Sequence, residues 1–370
     1  MRAYTNTNVF DAALDRIRYI FDNHPNVYVS SSGGKDSTVV TELALMVAKE
    51  KNRLPLNIAF LDQESEYEAT VDYMRKLHNR PDIKLHWFQF PFRLSNATTT
   101  NRDEEYLHCW NPSEESKWIR PREPYSIHEN PFKVDRYHEI VSSMGLYIFN
   151  NEPSIALVGM RAAESIGRYV MYHKINTVWH DKFWVSRNKC GGLTGIPIID
   201  WELSDVWHAI CINKWSYNSI YDKMFQYGIP DAQMRVSSII HETGVYALKS
   251  LKVLEPKTFE KLSLRIGGVN TYNLLHKQDL YSIKKLPSIF SCWREYRDYL
   301  LDTICHPENK QIMLKMWNGC NTEADAKNQV AQILLNDISG TKNVNKRVSN
   351  ILLRKIRNGE YGRIKSICKR

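Results

Sequence analysis

The sequence has few cysteines, and their spacing matches no metal or disulfide framework. Seven cysteines in 370 residues form no CxxC pair and no local cluster with histidine. An odd number of widely separated cysteines argues against a disulfide framework and gives no sign of a zinc or iron–sulfur module. We expect most of them to be reduced thiols. They are Cys109, Cys190, Cys211, Cys292, Cys305, Cys320 and Cys368.

Long apolar runs are also missing. No stretch approaches the roughly 18 apolar residues that a membrane-spanning helix needs. Residues 1–10 lack the basic start and apolar core of a signal peptide. With 43% hydrophobic and 25% charged residues, the composition is that of a globular protein. The sequence therefore predicts a soluble cytoplasmic protein with no membrane partner.

Acidic residues are scarce in the last third of the chain. Residues 1–235 carry 27 Lys and Arg against 29 Asp and Glu, whereas residues 236–370 carry 23 against 12. Residues 342–370 hold ten basic residues and one acid, interleaved with apolar residues at partly helical spacing. Two interpretations stay open. The segment is either an amphipathic basic helix that binds a polyanion such as nucleic acid, or a solvated basic face without a specific partner.

Strand and helix patterns alternate along the first part of the chain. Such alternation predicts an α/β fold, a parallel sheet with helices on both faces. The predicted strands are Val27–Ser30, Leu56–Leu61, Lys84–Phe90 and Ser154–Val158. The predicted helices are Asp11–Asn23, Thr38–Glu50, Tyr67–His78 and Leu203–Asn213.

Helical spacing dominates after residue 235. We therefore predict two domains, an α/β domain over residues 1–235 and a basic, mostly helical domain over residues 236–370. Within the first domain, residues 93–131 show weak periodicity and form a longer connection than compact domains usually contain. This segment is interpreted as a mobile lid or a substrate-binding insertion.

The sharpest motif is SGGKDS, residues 32–37, between a predicted strand and a predicted helix. The glycines Gly33 and Gly34 let the backbone approach a ligand closely, and the helix N-terminus favours anions. The motif therefore predicts a phosphate site. Lys35 would neutralise phosphate, the hydroxyls of Ser32 and Ser37 would donate hydrogen bonds, and Asp36 would hold Mg²⁺ bridging to phosphate oxygens.

A second motif, GMRAAESIGR, covers residues 159–168 and directly follows a predicted strand. It would lie at the carboxyl edge of the sheet, where open α/β sheets bind ligands. Arg161 and Arg168 would share one face if this stretch is helical, and arginine suits forked contacts with phosphate or sulfate. Glu164 would orient one guanidinium. The alternative is an ion-pair set on an exposed helix.

SGGKDS resembles the PP-loop signature of the adenine nucleotide α-hydrolase-like superfamily, which includes ATP pyrophosphatases and phosphoadenosine phosphosulfate (PAPS) reductases. Residues 159–168 are similar to the GxRxxES element of PAPS reductases, and residues 196–222 are similar to a later stretch of the same family. Asp62, at the end of the second predicted strand, resembles the family's aspartate on the adenosine side. The whole layout resembles the immunoglobulin-binding regulator A-type proteins, which are PAPS sulfurtransferase-like with a helical C-terminal extension.

The resemblance implies an adenine nucleotide, ATP or PAPS, as ligand and Mg²⁺ as cofactor. It implies catalytic roles for Lys35, Asp36, Arg161 and Arg168. The expected nucleotide-binding residues are Ser32, Gly33, Gly34, Lys35, Asp36, Ser37, Asp62, Gly159, Arg161, Glu164 and Ser165, with Asp36 as the metal ligand.

One departure from the family bears on the reaction. PAPS reductases use a cysteine near the C-terminus in a Glu-Cys-Gly-Leu-His-like motif, and the surroundings of Cys368 do not match it. Reduction of a sulfonucleotide is therefore not favoured. Cys190, beside two glycines, is the most site-like thiol by sequence, although we interpret it as structural.

Three functions remain open at this point. The first is an enzyme that cleaves ATP between its α and β phosphates and adenylates an acceptor, with a sulfurtransferase outcome included. The second is an enzyme that binds PAPS through Arg161 and Arg168. The third is a regulator that senses a nucleotide and binds nucleic acid or a partner protein through its basic last third.

Overall fold

A computed structural model of the chain describes residues 6–99, 101–165, 167–169, 179–188, 190–236, 238–241, 247–270, 285–338 and 340. Its centre is a six-stranded sheet in the order β3-β2-β1-β6-β8-β7. These strands are β1 (Val27–Ser30), β2 (Leu56–Leu61), β3 (Ile83–Phe88), β6 (Ile155–Val158), β7 (Val185–Arg187) and β8 (Leu193–Gly195). Every pairing is parallel except that of β7 with β8.

The first strand lies in the middle of the sheet and sets its register. Tyr28 pairs with Asn57 of β2 on one side and with Ala156 of β6 on the other. The chain therefore builds the sheet outward from β1 in one direction and then returns to β1 and builds in the other. Open α/β sheets bind ligands at such a switch point, beyond the carboxyl ends of the strands.

One face of the sheet is covered by four helices, α1 (Val9–Asn23), α2 (Lys35–Glu50), α3 (Glu68–His78) and α5 (Leu203–Ile212). Their apolar side chains join Val27 and Val29 of β1 in one core cluster. This agrees with the predicted elements, because side chains alternate along a strand and every second residue of β1 is apolar on this face.

The opposite face is covered by two helices from residues 1–235 and by two helices from the last third of the chain. They are α4 (Tyr137–Ile148), α6 (Ile220–Gln226), α7 (Leu248–Leu254) and α8 (Pro256–Arg265). Tyr28 of β1 belongs to this second core cluster together with Met144, Leu251 and Phe259. The fold is thus the predicted parallel sheet with helices on both faces, and helices dominate the described part of the last third.

Residues 93–131 are packed against this second face. An antiparallel hairpin, β4 (Phe92–Ser95) with β5 (Tyr106–Cys109), begins the segment. Leu107 and Trp110 are buried, and so is the Arg120 side chain. The burial of these side chains argues against a mobile lid, and the alternative, a substrate-binding insertion, stays a prediction.

Three further helices, α9 (Trp293–Thr303), α10 (Pro307–Met316) and α11 (Glu323–Leu334), form a third and smaller cluster. Tyr106 of β5 donates a hydrogen bond of 2.5 Å to Asn309 of α10. Asn336 donates to the backbone oxygens of Asn96 and Glu105, which ties the end of α11 to the hairpin region. The division of the chain at residue 235 stays a prediction, and the basic segment 342–370 lies outside the described residues. Within the part of the chain that the structure describes, no helix combines the length and apolarity needed to cross a bilayer.

The loop between β2 and α3 buries a carboxyl group at the carboxyl edge of the sheet. Glu66 is 2% exposed, and its Oε2 has no hydrogen-bond partner in the described structure. Burial raises the pKa of Glu66 to about 8, and the charge of Asp62 acts in the same direction. The folded chain therefore retains a proton on Glu66 at pH values where the unfolded chain has lost it.

This difference makes stability depend on pH. The unfolded carboxyl group ionises near 4.5 and the folded one near 8, so the free energy of unfolding falls as pH rises between these values. Glu66→Gln removes the ionisable group. The free energy of unfolding of this variant, relative to that of the unmodified chain, should rise by roughly 2 to 4 kcal/mol from about pH 5 to about pH 8. Urea unfolding at both pH values measures this, with the exposed Glu129→Gln as control. A difference that stays constant with pH would contradict the assignment.

Candidate nucleotide-binding site

The loop after β1 turns sharply and delivers the chain to the first turn of α2. Gly33 has a φ of +69°, a conformation that side chains other than glycine rarely adopt. Its N–H donates to Ser31 Oγ at 3.2 Å, and its carbonyl accepts from Asn218 Nδ2 at 3.2 Å. Gly34 then serves as N-cap, and α2 begins at Lys35, three residues before the predicted start at Thr38. The motif thus places Lys35, Asp36 and Ser37 in the first helical turn.

The first turn of α2 has the properties of an anion site. The first N–H groups of a helix lack partners within the helix, and its dipole favours negative charge there. The Lys35 N–H is one of them, and it donates to the hydroxyl of Tyr221 at 3.1 Å. The hydroxyl of Ser37 turns back to the Gly34 carbonyl at 2.9 Å.

A glycine directly after β6, a neighbour of β1 in the sheet, contacts the first turn of α2. A Cβ built on Gly159, just after β6, would lie 2.6 Å from the backbone carbon of Asp36 and from the N atom of Ser37. Backbone atoms cannot rotate away as a side chain can. The residue after β6 must therefore be glycine for the second motif to lie against the first.

A buried ionic group connects the two motifs. Asp36 Oδ2 lies 3.3 Å from Lys35 Nζ, and Asp36 Oδ1 accepts a hydrogen bond from Arg161 Nε. Lys35 Nζ also donates to the Met234 carbonyl at 3.2 Å. The side chains of Lys35 and Arg161 are only 7% and 6% exposed. Two nearly buried cations are thus held side by side at the helix N-terminus by one carboxylate.

Glu164 connects Arg161 to Arg168. Its carboxylate lies 2.9 Å from Arg168 Nε and 3.8 Å from Arg161 Nη2. Burial raises the pKa of Glu164, and the charges of Arg168 and Arg161 oppose the rise. Arg168 Nη1 is buried with no hydrogen-bond partner in the described structure. The predicted role of Glu164 in orienting a guanidinium therefore matches the geometry.

The two arginines do not share one continuous helix. Ala162–Glu164 is a short 3₁₀ turn, and Ser165 is extended with a φ of −161°. Residues 167–169 are helical after this break. The expectation of one helix face is wrong, because the chain changes conformation at Ser165. The two guanidinium groups converge through Glu164 instead.

These groups line one cavity of about 200 Å³ at the switch point of the sheet. It contains four basic and three acidic side chains. The lining residues are Ser32, Gly34, Lys35, Asp36, Ser37, Gly159, Arg161, Ala163, Glu164, Arg168, Leu203, Tyr221, Asp231, Arg235 and Val236. A cavity with basic groups around a helix N-terminus is suited to phosphate or sulfate groups.

Most of the predicted site residues line this cavity, but Gly33, Ser165 and Asp62 do not. Gly33 shapes the loop from behind, since a Cβ there would lie 2.8 Å from Thr70 Cγ2. Ser165 Oγ accepts from the Arg168 N–H at 3.2 Å. Asp62 is fully buried away from the cavity.

Asp62 has its hydrogen-bonding capacity filled from within the protein. Arg120 donates to its Oδ1 in a buried ion pair, and the Glu64 N–H donates to the same oxygen at 2.9 Å. Trp87 Nε1 and Gln89 Nε2 donate to Oδ2 at 3.0 and 2.9 Å. The structure therefore gives Asp62 an internal structural role and does not bring it to the nucleotide-binding cavity.

Six of the lining residues were not among the predicted site residues, namely Ala163, Leu203, Tyr221, Asp231, Arg235 and Val236. Arg235 and Val236 come from the connection where the sequence predicts a change of domain, so no local motif marked them. Tyr221 lies in the stretch that resembles the PAPS reductases, but its contact with the Lys35 N–H could not be foreseen. Only tertiary structure brings residues this distant in sequence together.

The residues present do not fit a protein-held metal ion. Both oxygens of Asp36 face cations, Lys35 and Arg161. Among the residues that the structure describes, no group of three His, Cys, Asp or Glu is placed to hold a metal. Mg²⁺ prefers several oxygen ligands at octahedral positions. The chemistry proposed below therefore involves no magnesium ion bound to Asp36.

The described cysteines also lie outside this cavity. Cys190 is exposed, and its Sγ lies 3.3 Å from Ser143 Oγ. Cys109 is buried, and burial raises the pKa of its thiol. Cys368 lies outside the described residues.

The fold and the cavity together define a class, an α/β nucleotide-binding protein with a phosphate loop between β1 and α2. The chain belongs to the phosphoadenosine phosphosulfate reductase domain family, whose model matches residues 26–228. A model described as a domain of unknown function, DUF3440, matches residues 228–357.

Known proteins similar to the chain share modest identity with it. The uncharacterized protein YbdN of Escherichia coli (strain K12) is 26% identical over 330 residues, which are 84% of this chain and 80% of that protein. The uncharacterized protein MJ0973 of Methanocaldococcus jannaschii is 26% identical over 200 residues, 54% of this chain and 39% of that protein.

Solved structures share less with the chain. FMN adenylyltransferase of Candida glabrata has a TM-score of 0.37 at 14% identity, over 59% of this chain and 62% of that one. The phosphoadenylyl-sulfate (PAPS) reductase of Candida auris, a phosphate complex, has a TM-score of 0.33 at 12% identity, over 60% and 94%. The fold is therefore assigned from the strand order of the sheet and from the family match, not from these two structures.

The close approach of Gly159 can be tested directly. Gly159→Ala should push β6 and the first turn of α2 apart, because backbone atoms 2.6 Å from the new Cβ must move. We expect a loss of roughly 1 to 3 kcal/mol in the free energy of unfolding. We also expect weaker nucleotide binding.

The matched control is Gly167→Ala in the same motif. Among the residues that the structure describes, a Cβ at Gly167 would meet only Ser165 Oγ at 3.8 Å, which is ordinary contact. Urea unfolding and calorimetric titration with ATP compare the two variants. Equal behaviour of both variants would show that the Gly159 contact is not required.

Proposed function

We propose that the protein is an enzyme that binds ATP by its phosphates in this cavity and cleaves it between the α and β phosphates. The adenylate would pass to an acceptor, and pyrophosphate would leave. The observation that carries the proposal is the placement of Lys35 and Arg161 side by side at the N-terminus of α2, held by Asp36 and nearly buried. Membership in a family of nucleotide-modifying enzymes supports it.

The proposed chemistry needs no nucleophile from the protein. The acceptor attacks the α phosphorus, the bond from that phosphorus to the bridging oxygen breaks, and pyrophosphate takes the electron pair. Positive charge placed where negative charge develops is the main catalytic device in such a site. Lys35, Arg161 and the first amides of α2 supply that charge next to the leaving group.

The exchange of ionic partners is the step that this chain's own residues would perform. Without ligand, Asp36 balances the charges of Lys35 and Arg161. Entering phosphate oxygens would replace the carboxylate as the partner of these cations. Because both side chains are nearly buried, their contacts with phosphate would be stronger than those of exposed side chains.

A second candidate is an enzyme that uses PAPS. The observation that favours it is the pair Arg161 and Arg168 around Glu164, with Arg168 Nη1 buried and without a partner in the described structure. A phosphosulfate group would give that N–H an acceptor. Sulfurtransferase chemistry is compatible with either nucleotide. The third function, a nucleic-acid-binding regulator, depends on residues 342–370 and stays a prediction.

Titration of the full chain with ATP, and separately with PAPS, tests the choice of nucleotide. We expect ATP to bind and Lys35→Ala to weaken it by about tenfold or more, because a buried charge-assisted contact is lost. The control is Lys49→Ala, which removes an exposed lysine at the other end of α2. Preference for PAPS that Arg168→Ala abolishes would instead support the second candidate.

The products of slow ATP turnover test the bond that breaks. Phosphorus NMR of the chain incubated with ATP should show AMP and pyrophosphate, and Lys35→Ala should remove them. Formation of ADP and inorganic phosphate would contradict cleavage between the α and β phosphates. Full turnover by a folded Lys35→Ala variant would exclude Lys35 from the catalytic group.

A further inference from the structure

A second and larger cavity lies on the opposite side of α6 from the nucleotide-binding cavity. Its volume is about 660 Å³, and residues of both family-model regions line it. Tyr221 of α6 lines the first cavity, whereas Lys223 of the same helix lines the second. Two positions along a helix differ by about 200° in direction, so α6 forms a wall that the two cavities share.

Three lysines line this junction cavity without an ion-pair partner among the described residues. Lys223 comes from α6, and Lys257 and Lys261 come from α8. The last two are four positions apart and therefore lie on one helix face. No ion pair of these three lysines occurs within the described residues. All three are exposed to solvent.

The carboxylates around the cavity have partners inside the protein. Glu68 and Asp72 are both paired with Arg75. Glu255 accepts hydrogen bonds from the N–H groups of Glu68 and Ala69 at 2.7 and 3.0 Å, and another from the Thr258 hydroxyl. These carboxylates are engaged within the protein, since Glu68 and Asp72 share Arg75 with Glu123 and Glu255 accepts three hydrogen bonds. An external anion would give the three lysines the ion-pair partner that the described residues do not provide.

The wall of the cavity adds two further features. Arg120 lines it, is 5% exposed, and has an Nε without a hydrogen-bond partner in the described structure. The apolar side chains of Ile119, Pro121, Leu254 and Pro256 also line it. Ligand sites typically combine an apolar wall with a few polar groups that fix orientation.

We propose that the junction cavity binds an organic phosphate, with the phosphate on Lys223, Lys257 and Lys261 and the organic body against the apolar wall. The region of unknown function would then supply two of the three lysines of this site. A small phosphorylated molecule and the end of a nucleic-acid strand share this chemistry.

Lysine labelling tests the cavity itself. Pyridoxal 5′-phosphate is an organic phosphate whose aldehyde condenses with a lysine amine and releases water, and borohydride then reduces the imine to a stable amine. Peptide mass spectrometry of the labelled full chain should find Lys223, Lys257 and Lys261 modified ahead of the exposed lysines Lys49, Lys249 and Lys252. Equal labelling of both groups overturns the proposal.

Protection experiments separate the two sources of the phosphate. Cytidine 5′-monophosphate should protect the three lysines if the ligand is a small molecule. Protection by a short single-stranded oligonucleotide alone would assign the site to a nucleic-acid end. Failure of both probes to protect any of the three lysines overturns the assignment.

A triple variant in which Lys223, Lys257 and Lys261 become Gln provides the quantitative test. It should bind the protecting probe about tenfold more weakly or worse, because three charged contacts are lost. The control carries Gln at Lys49, Lys249 and Lys252, which removes the same charge elsewhere on the surface. Equal affinity of the triple variant and the control overturns the proposal.

ATP titration of the same proteins separates this proposal from the function proposed above. The triple variant should bind ATP as the unmodified chain does, since its substitutions lie on the far side of α6. If ATP fails to bind any of them while the lysines still bind the probe, the function proposed above is overturned and the cavity assignment stands. If the triple variant loses the probe but still binds ATP, the cavity assignment is supported independently of that function.

Discussion

The site depends on the contact between Gly159 and the first turn of α2. Two parallel strands that neighbour each other in the sheet end at the same edge, and their following loops compete for one small space. Because Gly159 has no side chain, the loop after β6 lies against the backbone of Asp36 and Ser37. This contact brings Arg161 within hydrogen-bond distance of Asp36. Without it, the two motifs would occupy the same edge of the sheet without forming one site.

The Asp36 carboxylate then determines what the cavity can recognise. Lys35 and Arg161 are both nearly buried, so their charges would repel each other and lose hydration. The Asp36 carboxylate that they share offsets both costs. The arrangement is poised for an anion with several oxygens, since such a group can take over the contacts of the carboxylate. In the described structure both oxygens of Asp36 face these two cations.

The sequence allowed most of the fold and the centre of the site to be predicted, for local reasons. SGGKDS between an apolar strand and an amphipathic helix is a short-range pattern, and it placed Lys35 and Asp36 between the two, although α2 begins at Lys35 rather than at the predicted Thr38. Asp62 lies at the end of a similar strand, yet Arg120 from a loop distant in sequence forms an ion pair with its carboxylate. Arg235 enters the cavity from a connection without periodicity. Residues 93–131 resemble a lid in sequence because they lack regular periodicity. An irregular segment can still bury a side chain such as Trp110, and the spacing of residues does not reveal this. These outcomes depend on contacts between distant residues.

Glu255 and Arg265 join the region of unknown function to the reductase-type domain. Glu255 caps α3 of that domain, and Arg265 pairs with its fully buried Glu64 at 2.7 Å. The second core cluster also contains residues from both regions, although the two family models meet at residue 228. Removal of the C-terminal region would expose a helix end, a buried carboxylate and part of a hydrophobic core, so we expect the reductase-type domain to need that region in order to fold stably.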